Sequence, residues 1–241
     1  MRVSRFYFPT SIGQLKELVM PDKLAHYMRT VLRLKANDEV ILFDGSGHDF
    51  QGVITACSKK TVAVILQNQT TIHNESPLSI HLGQGLCRGE KMDWVIQKSV
   101  ELGVAAITPI QSEFGNVKLS GDRFHQKQQH WQQIAISACE QSGRSIIPTV
   151  HPVMSFAQWT EQVDAQLKLL LHPGEHNALP ASSPIKGIAC AVGPEGGFGE
   201  GEVMQAQAQG FHAIALGPRI LRTETAPIAI LSLLQAQFGD F

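Results

Sequence analysis

Cysteine is scarce and scattered. Four residues in 241, each thirty or more positions from the next, leave no Cys-x-x-Cys pair and no zinc-ribbon spacing. Cys57, Cys87, Cys139 and Cys190 are expected to be small buried apolar residues. No apolar run reaches the roughly 18 residues of a membrane span. The opening MRVSRFYFPT has charges and a proline where a signal peptide carries its apolar region, so a cytoplasmic protein without a membrane partner is expected. His172 and His176 have i, i+4 spacing, but Pro173 and Gly174 between them keep a helix from presenting both, so no metal is expected. Phosphate-loop glycines are missing too. Gly193, Gly196, Gly197 and Gly199 do not fit G-x-G-x-x-G, and Gly83, Gly85 and Gly89 place the last glycine one position late. With no G-x-x-x-x-G-K-S/T either, the dinucleotide loop and the P-loop are excluded.

What is present fits one large domain or two small ones with a sizeable core. Net charge is −1, split unevenly: nine Lys/Arg and six Asp/Glu in residues 1–70, eleven and fifteen in residues 71–241. A mildly basic front fits contact with nucleic acid; ordinary surface scatter fits nearly as well. The first seventy residues read as short strands around one helix, which suggests a small barrel. The helix is DKLAHYMRTVLRL, with Asp22 as N-cap and Leu24, Tyr27, Met28, Val31 and Leu32 on one face. DGSG (44–47) and SKK (58–60) supply turns, and NQTTIHNESP (68–77) reads as a linker.

After Pro77, strands alternate with helices. Strands are expected at 78–86, 105–110, 167–171, 188–192 and 213–216, and helices at 90–102, 122–142, 155–166, 200–209 and 225–238. Strands apolar on nearly every residue are buried on both faces, as in a parallel sheet covered by helices, so the class is α/β. Gly103 and Gly210 sit where helices end, and Ser155 with Gln158 is a capping-box signature.

Ligands of such sheets bind beyond the carboxyl ends of the strands. Three loops belong there: LHPGEHN (171–177), GPEGGFGEGE (193–202) and LGPRILRTETAP (216–227). Glycine lets a ligand approach the backbone, and a helix N-terminus behind the loop offers N–H donors. Glu195, Glu200 and Glu202 disfavour phosphate and suit a neutral or cationic ligand. Arg219 and Arg222 suit an anionic or RNA substrate, unless one of them pairs with Glu224 or Glu195. Thr223 and Thr225 can cap the last helix, with Pro227 in its first turn. Lys91 and Lys98 share a helix face, and Glu140, Gln141 and Arg144 end the next helix.

Together, RGEKMDWVIQKSVELG, CEQSGR, GPEGGF and LGPRILRTETA resemble the bacterial small-subunit ribosomal RNA uridine N3-methyltransferases, a branch of the SPOUT methyltransferases. The resemblance covers effectively the whole chain. It implies a PUA-like RNA-binding β-barrel over residues 1–70 and a SPOUT α/β domain over 71–241 with a deep trefoil knot. It implies S-adenosyl-L-methionine as cofactor, 16S ribosomal RNA or the small ribosomal subunit as substrate, and a homodimer. The apolar helix 226–238 fits a dimer interface or burial within one subunit. On this reading Leu171, His172, Gly193, Gly197, Leu216, Gly217, Ile220, Leu221 and Thr225 line the cofactor pocket. Arg222 stabilises the target base or its phosphate, Arg144 and Arg219 orient RNA, and Glu140 is a candidate proton acceptor. Arg2, Arg5, Arg29 and Arg33, with Lys91, hold the surrounding RNA. Glu195 holds the loop, pairs with Arg219 or touches the ligand.

Overall fold

A computed structural model describes residues 3–58, 61–115, 122–174, 179 and 184–241. The chain forms two compact units. One comprises Met1–Glu75 and Cys139–Ile147, the other Ser76–Ala138 and Pro148–Phe241. The short segment 139–147 thus belongs to the first unit, although the sequence reading placed it in the second domain.

The first unit is a mixed sheet of β1 (Ser4–Tyr7), β2 (Glu17–Val19), β3 (Glu39–Phe43), β4 (His48–Cys57) and β5 (Val62–Thr71), in the order β1-β3-β4-β5-β2. Its inward side chains, among them Phe6, Val40, Leu42, Phe50, Ile54 and Val64, meet Ile12 and Met28 in one core. Each such burial contributes roughly 1.5–3 kcal/mol. Register shifts at Gln51/Gly52 and Ile54/Ala56 bend the long β4–β5 hairpin. No ladder joins β1 to β2 among the described residues, so the barrel is open.

Three local expectations change here. Residues 68–71 of the supposed linker are strand, because β5 pairs with β4 as far as Thr71. The helix, α1 (Asp22–His26), begins with Asp22 inside it and Pro21 as N-cap, and no side chain caps it. It then widens into a π-helical turn at Tyr27–Val31. The wider turn breaks the 3.6-residue stripe: Met28 is buried, while Tyr27, Val31 and Leu32 stay exposed.

A charge network holds the strands of this unit to its segment 139–147. Arg5 pairs with Asp49 at 2.6 Å and donates to the Cys139 carbonyl at 3.0 Å and to Ser145 Oγ at 2.9 Å. Arg144 pairs with Glu75 at 2.6 Å. Glu140 Oε1 accepts the Tyr7 N–H at 3.0 Å. Burial pushes the Glu140 carboxyl up, against the opposing pull of Tyr7 N–H and Arg5.

The second unit is a parallel sheet of β6 (Ser79–Gly85), β7 (Ala106–Gln111), β8 (Thr149–Val150), β9 (Met154–Ser155), β10 (Leu167–Leu171), β11 (Gly187–Val192) and β12 (Phe211–Ile214). The order is β12-β10-β11-β6-β7-β8, with β9 on β7. Helices α2 (Lys91–Glu101), α3 (Asp122–Ser142), α4 (Phe156–Gln162), α5 (Glu200–Ala208) and α6 (Thr225–Phe238) fall in the expected intervals. The expected capping box forms, with Gln158 N–H on Ser155 Oγ and Ser155 N–H on Gln158 Oε1, both at 3.2 Å. β8 and β9 were not anticipated; two residues each are too short to show alternation. No described helix is long and apolar enough to cross a membrane.

His81 on β6 sits in this sheet with its Nε2 at 2.7 Å from Thr108 Oγ1 and 3.4 Å from the Trp159 indole N–H. A neutral Nε2 accepts the indole N–H; a protonated one opposes it. Burial, with the stacked His151 ring, pushes His81 from 6.5 down to about 4. The unfolded chain therefore takes up a proton on this residue that the folded chain refuses. Stability is lost as pH falls from about 6.5 to about 4, by about 3 kcal/mol from this group. In chemical unfolding at pH 6.5 and pH 4, His81→Gln is expected to shrink the difference between the two free energies by that amount. An unchanged difference removes His81 as its source.

Candidate functional site

The three loops chosen from the sequence converge at the carboxyl ends of β10, β11 and β12. They enclose a cleft of about 1030 Å³, a volume suited to a cofactor-sized molecule. β12 ends at Ile214, two residues earlier than expected, so Ala215 and Leu216 belong to the cleft wall instead of the sheet. Of the nine expected cofactor-lining residues, Leu171, His172, Gly193, Gly197, Leu216, Gly217, Ile220 and Leu221 line it. Thr225 does not: it is the first residue of α6, outside the cleft lining. His176 lies outside the described residues.

The cleft wall owes its shape to backbone. Pro194 O accepts the Gly197 N–H at 2.9 Å, closing a tight turn in the glycine loop. Behind it, Phe198 is buried against Phe156 at 4.5 Å between rings. Glu202 reaches back from α5 to the N–H groups of Gly199 and Glu113, both at 2.9 Å. Gly217 has φ +74 with open space where a Cβ would point. A side chain there is disfavoured by conformation and would fill the space offered to a ligand.

Thr223 is not a helix cap; the N-cap of α6 is Glu224, with no side-chain cap. Its hydroxyl instead donates to the Gly193 carbonyl at 2.7 Å, tying the arginine loop to the glycine loop. Gln84 Nε2 donates to the same hydroxyl at 3.3 Å. Cys87 is buried beside them; burial pushes its thiol up to about 11, so it is not a nucleophile at neutral pH.

The rim carries alternating charge. Glu195 Oε1 accepts from Lys91 Nζ and from the Arg88 N–H, both at 3.2 Å. Lys91 also lies 3.3 Å from Glu224, and Glu224 lies 3.9 Å from Arg222. Burial alone would raise the Glu195 carboxyl; backbone N–H groups and Lys91 outweigh it and hold it low. The Glu195 hydrogen bond, against some desolvation and with help from Glu224, holds the Lys91 ammonium above its ordinary value. Glu195 thus holds the loop and pairs with Lys91, not Arg219. Arg219 and Arg222 are exposed on the rim.

Several of the expected RNA-contact and catalytic groups lie in internal pairs or outside the cleft lining. Arg5 and Arg144 keep only 7% of their side-chain surface and pair with Asp49 and Glu75. Neither Arg144 nor Glu140 lines the cleft. Arg29 donates to the Ser58 carbonyl at 2.9 Å. Lys91 is clamped between two carboxylates. Arg33 is exposed, at φ +57, and Arg2 lies outside the described residues. Sequence reading weighed Glu224 only as a possible partner of an arginine; its Lys91 contact joins positions 133 apart and leaves no local signal. Among the described residues no cluster of three or more His, Cys, Asp or Glu could hold a metal.

Residues 74–235 match the RNA methyltransferase domain family, and residues 21–67 match the RNA methyltransferase PUA domain. This chain belongs to the RNA methyltransferase family. Within it, the chain is 37% identical to ribosomal RNA small subunit methyltransferase E of Buchnera aphidicola subsp. Acyrthosiphon pisum, over all of this chain and 96% of that one. It is 35% identical to the Bacillus subtilis enzyme of that name, over 98% and 97%. The structure superposes on ribosomal RNA small subunit methyltransferase E from Neisseria gonorrhoeae bound to S-adenosyl methionine, with TM-score 0.92, 38% identity and full coverage of both chains. A putative methyltransferase of Legionella pneumophila with bound SAM gives TM-score 0.95 at 38% identity, also over both full chains.

Proposed function

We propose that this member of the family transfers a methyl group from S-adenosylmethionine to N3 of a specific uridine in 16S ribosomal RNA of the small subunit, in the cytoplasm. The observation that carries this reading is the cleft itself: a backbone-built wall from three strand ends, with Arg219 and Arg222 at its mouth. The residues fit the cofactor. Gly197 and Gly217 leave open the space a Cβ would take, and no phosphate-binding motif is present. Glu195, in the glycine loop, places a carboxylate beside the cleft that suits the cofactor's positive charge on sulfur. Leu171, His172, Gly193, Gly197, Leu216, Gly217, Ile220 and Leu221 would hold it.

When bound, the cofactor supplies an electrophilic methyl on sulfonium sulfur. The protein's task is alignment, since the ring nitrogen must approach in line. N3 of a neutral uracil carries a proton, so the ring develops negative charge as that proton leaves to solvent water. Arg222 stabilises this charge and Arg219 the adjoining backbone. A base inside folded RNA must be splayed out to reach the cleft.

The chain path supports a knotted return. After edge strand β12, the segment 215–223 passes the end of β11 to meet Gly193 and Gln84. A homodimer is supported by exposed Leu233 on α6 and a hollow of about 370 Å³ beside it, lined by Leu179, Leu216, Leu221 and Ala229. Residues 1–70 serve as the PUA-like RNA-holding domain of the 71–241 methyltransferase, with Arg33 exposed to contact RNA.

Incubation of unmodified small subunits, or their naked RNA, with enzyme and labelled cofactor should yield 3-methyluridine on nucleoside analysis. A methylated ribose or guanine instead would replace this reading with a different reaction of the same fold.

A further inference from the structure

The rim charges form one line across the mouth of the cleft: Glu195, Lys91, Glu224, Arg222, with separations of 3.2, 3.3 and 3.9 Å. They come from three separate parts of the chain: the glycine loop, the start of α2, and the arginine loop. Arg222 itself is 81% exposed, so nothing packs it into one pose, whereas Glu224 keeps only 19% of its surface. The fixed member at the Arg222 end is therefore the carboxylate. Glu224 Oε2 is buried, and no well-aligned hydrogen bond reaches it from the described residues. Lys91 Nζ, 3.3 Å away, is its charge compensation.

We infer that Lys91 is a positioning residue for Arg222, acting through Glu224, and not an RNA contact. This rests on the methyl-transfer reading above. With Lys91 present, Glu224 is shared between two cations, and Arg222 stays at 3.9 Å, loosely held and facing the cleft mouth. Without Lys91, the buried carboxylate has Arg222 as its one remaining cation among the described residues. A desolvated carboxylate favours a close, charge-assisted pair, which draws the guanidinium out of the mouth. Removing Lys91 alone leaves a desolvated carboxylate and costs stability as well; adding Glu224→Gln removes that charge, so the double variant separates the positioning role from folding.

The test uses Lys91→Met, Lys91→Arg, Glu224→Gln and the Lys91→Met/Glu224→Gln double variant. Lys91→Met should lower kcat roughly tenfold, within the coupling range of contacting charges. KM for RNA and the cofactor-induced rise in Tm should be nearly unchanged. Lys91→Arg should restore most of the rate. The double variant should be faster than Lys91→Met, because a neutral amide no longer captures Arg222. A crystal structure of Lys91→Met should show Arg222 at hydrogen-bond distance from Glu224. A raised RNA KM with kcat intact, or a double variant no faster than Lys91→Met, overturns the inference in favour of a phosphate contact. An Arg222 unmoved in that crystal structure overturns it as well, independently of activity. If the wild-type enzyme modifies no small-subunit RNA at all, the function reading fails, and the crystal structure still decides the positioning role.

Discussion

Arg222→Ala should leave cofactor binding nearly intact and cut methylation by roughly 10²–10³-fold, the usual cost of removing one preorganised donor to developing charge. The side chain stands 81% exposed at the cleft mouth, and no described contact ties it to the cleft floor. The floor is built by Gly193, Gly197, Leu216 and Gly217, and Thr223 holds it together through the Gly193 carbonyl. Removing the guanidinium therefore leaves the cofactor wall in place. Calorimetry with S-adenosylmethionine and single-turnover methylation of small-subunit RNA separate the two effects. Retained turnover would show that another group carries the developing charge. Lost cofactor binding would show that Arg222 belongs to the wall.

Gly85→Ala should damage both folding and cofactor affinity. Gly85 ends β6 directly beneath the glycine loop. A Cβ at this position would collide with the backbone nitrogen of Pro194, and would lie 2.5 Å from its Cδ and 2.8 Å from the Gly193 carbonyl carbon. These are main-chain and ring atoms that no rotamer change moves aside. The loop must shift or β6 must bend. Forced overpacking of this kind costs typically 1–3 kcal/mol, a fall in Tm of about 4–8 °C at 2 kcal/mol for a chain of this size. Because Gly193 and Pro194 are cleft wall, the same shift should weaken cofactor binding by at least roughly tenfold, a change of about 1.4 kcal/mol. Gly187→Ala is the matched control: it starts β11, and a Cβ there meets nothing within 4 Å. Its Tm and cofactor affinity should stay near wild type. Equal behaviour of the two variants would mean that the glycine loop is not seated on Gly85.

Much of the second unit was legible because its elements carry strong local signals. β10 at Leu167–Leu171 is an uninterrupted apolar run, and Ser155 with Gln158 announces the start of α4. Legibility fell wherever partners are distant. Arg5 and Arg33 look alike as basic residues of a basic front. Asp49, Ser145 and the Cys139 carbonyl bury the first, while the second stays exposed. Thr223 has the residue type and place of a helix cap, yet its hydroxyl goes to a carbonyl thirty positions earlier. The stripe from Leu24 to Leu32 follows a 3.6 period that the π-helical turn does not keep.

The sequence by itself determined the main elements of the second unit, their α/β class and the three loops, because apolar periodicity, glycines and prolines act on their immediate neighbours. It also carried the family, through four motifs spread over the chain. Only the tertiary structure decided which charges are free. Pairing of Glu195 with Lys91 and of Arg144 with Glu75 spans 104 and 69 positions. A charge's function depends on burial and on the nearest opposite charge. Both are set by which strand ends the sheet order brings together, and no local pattern encodes that order.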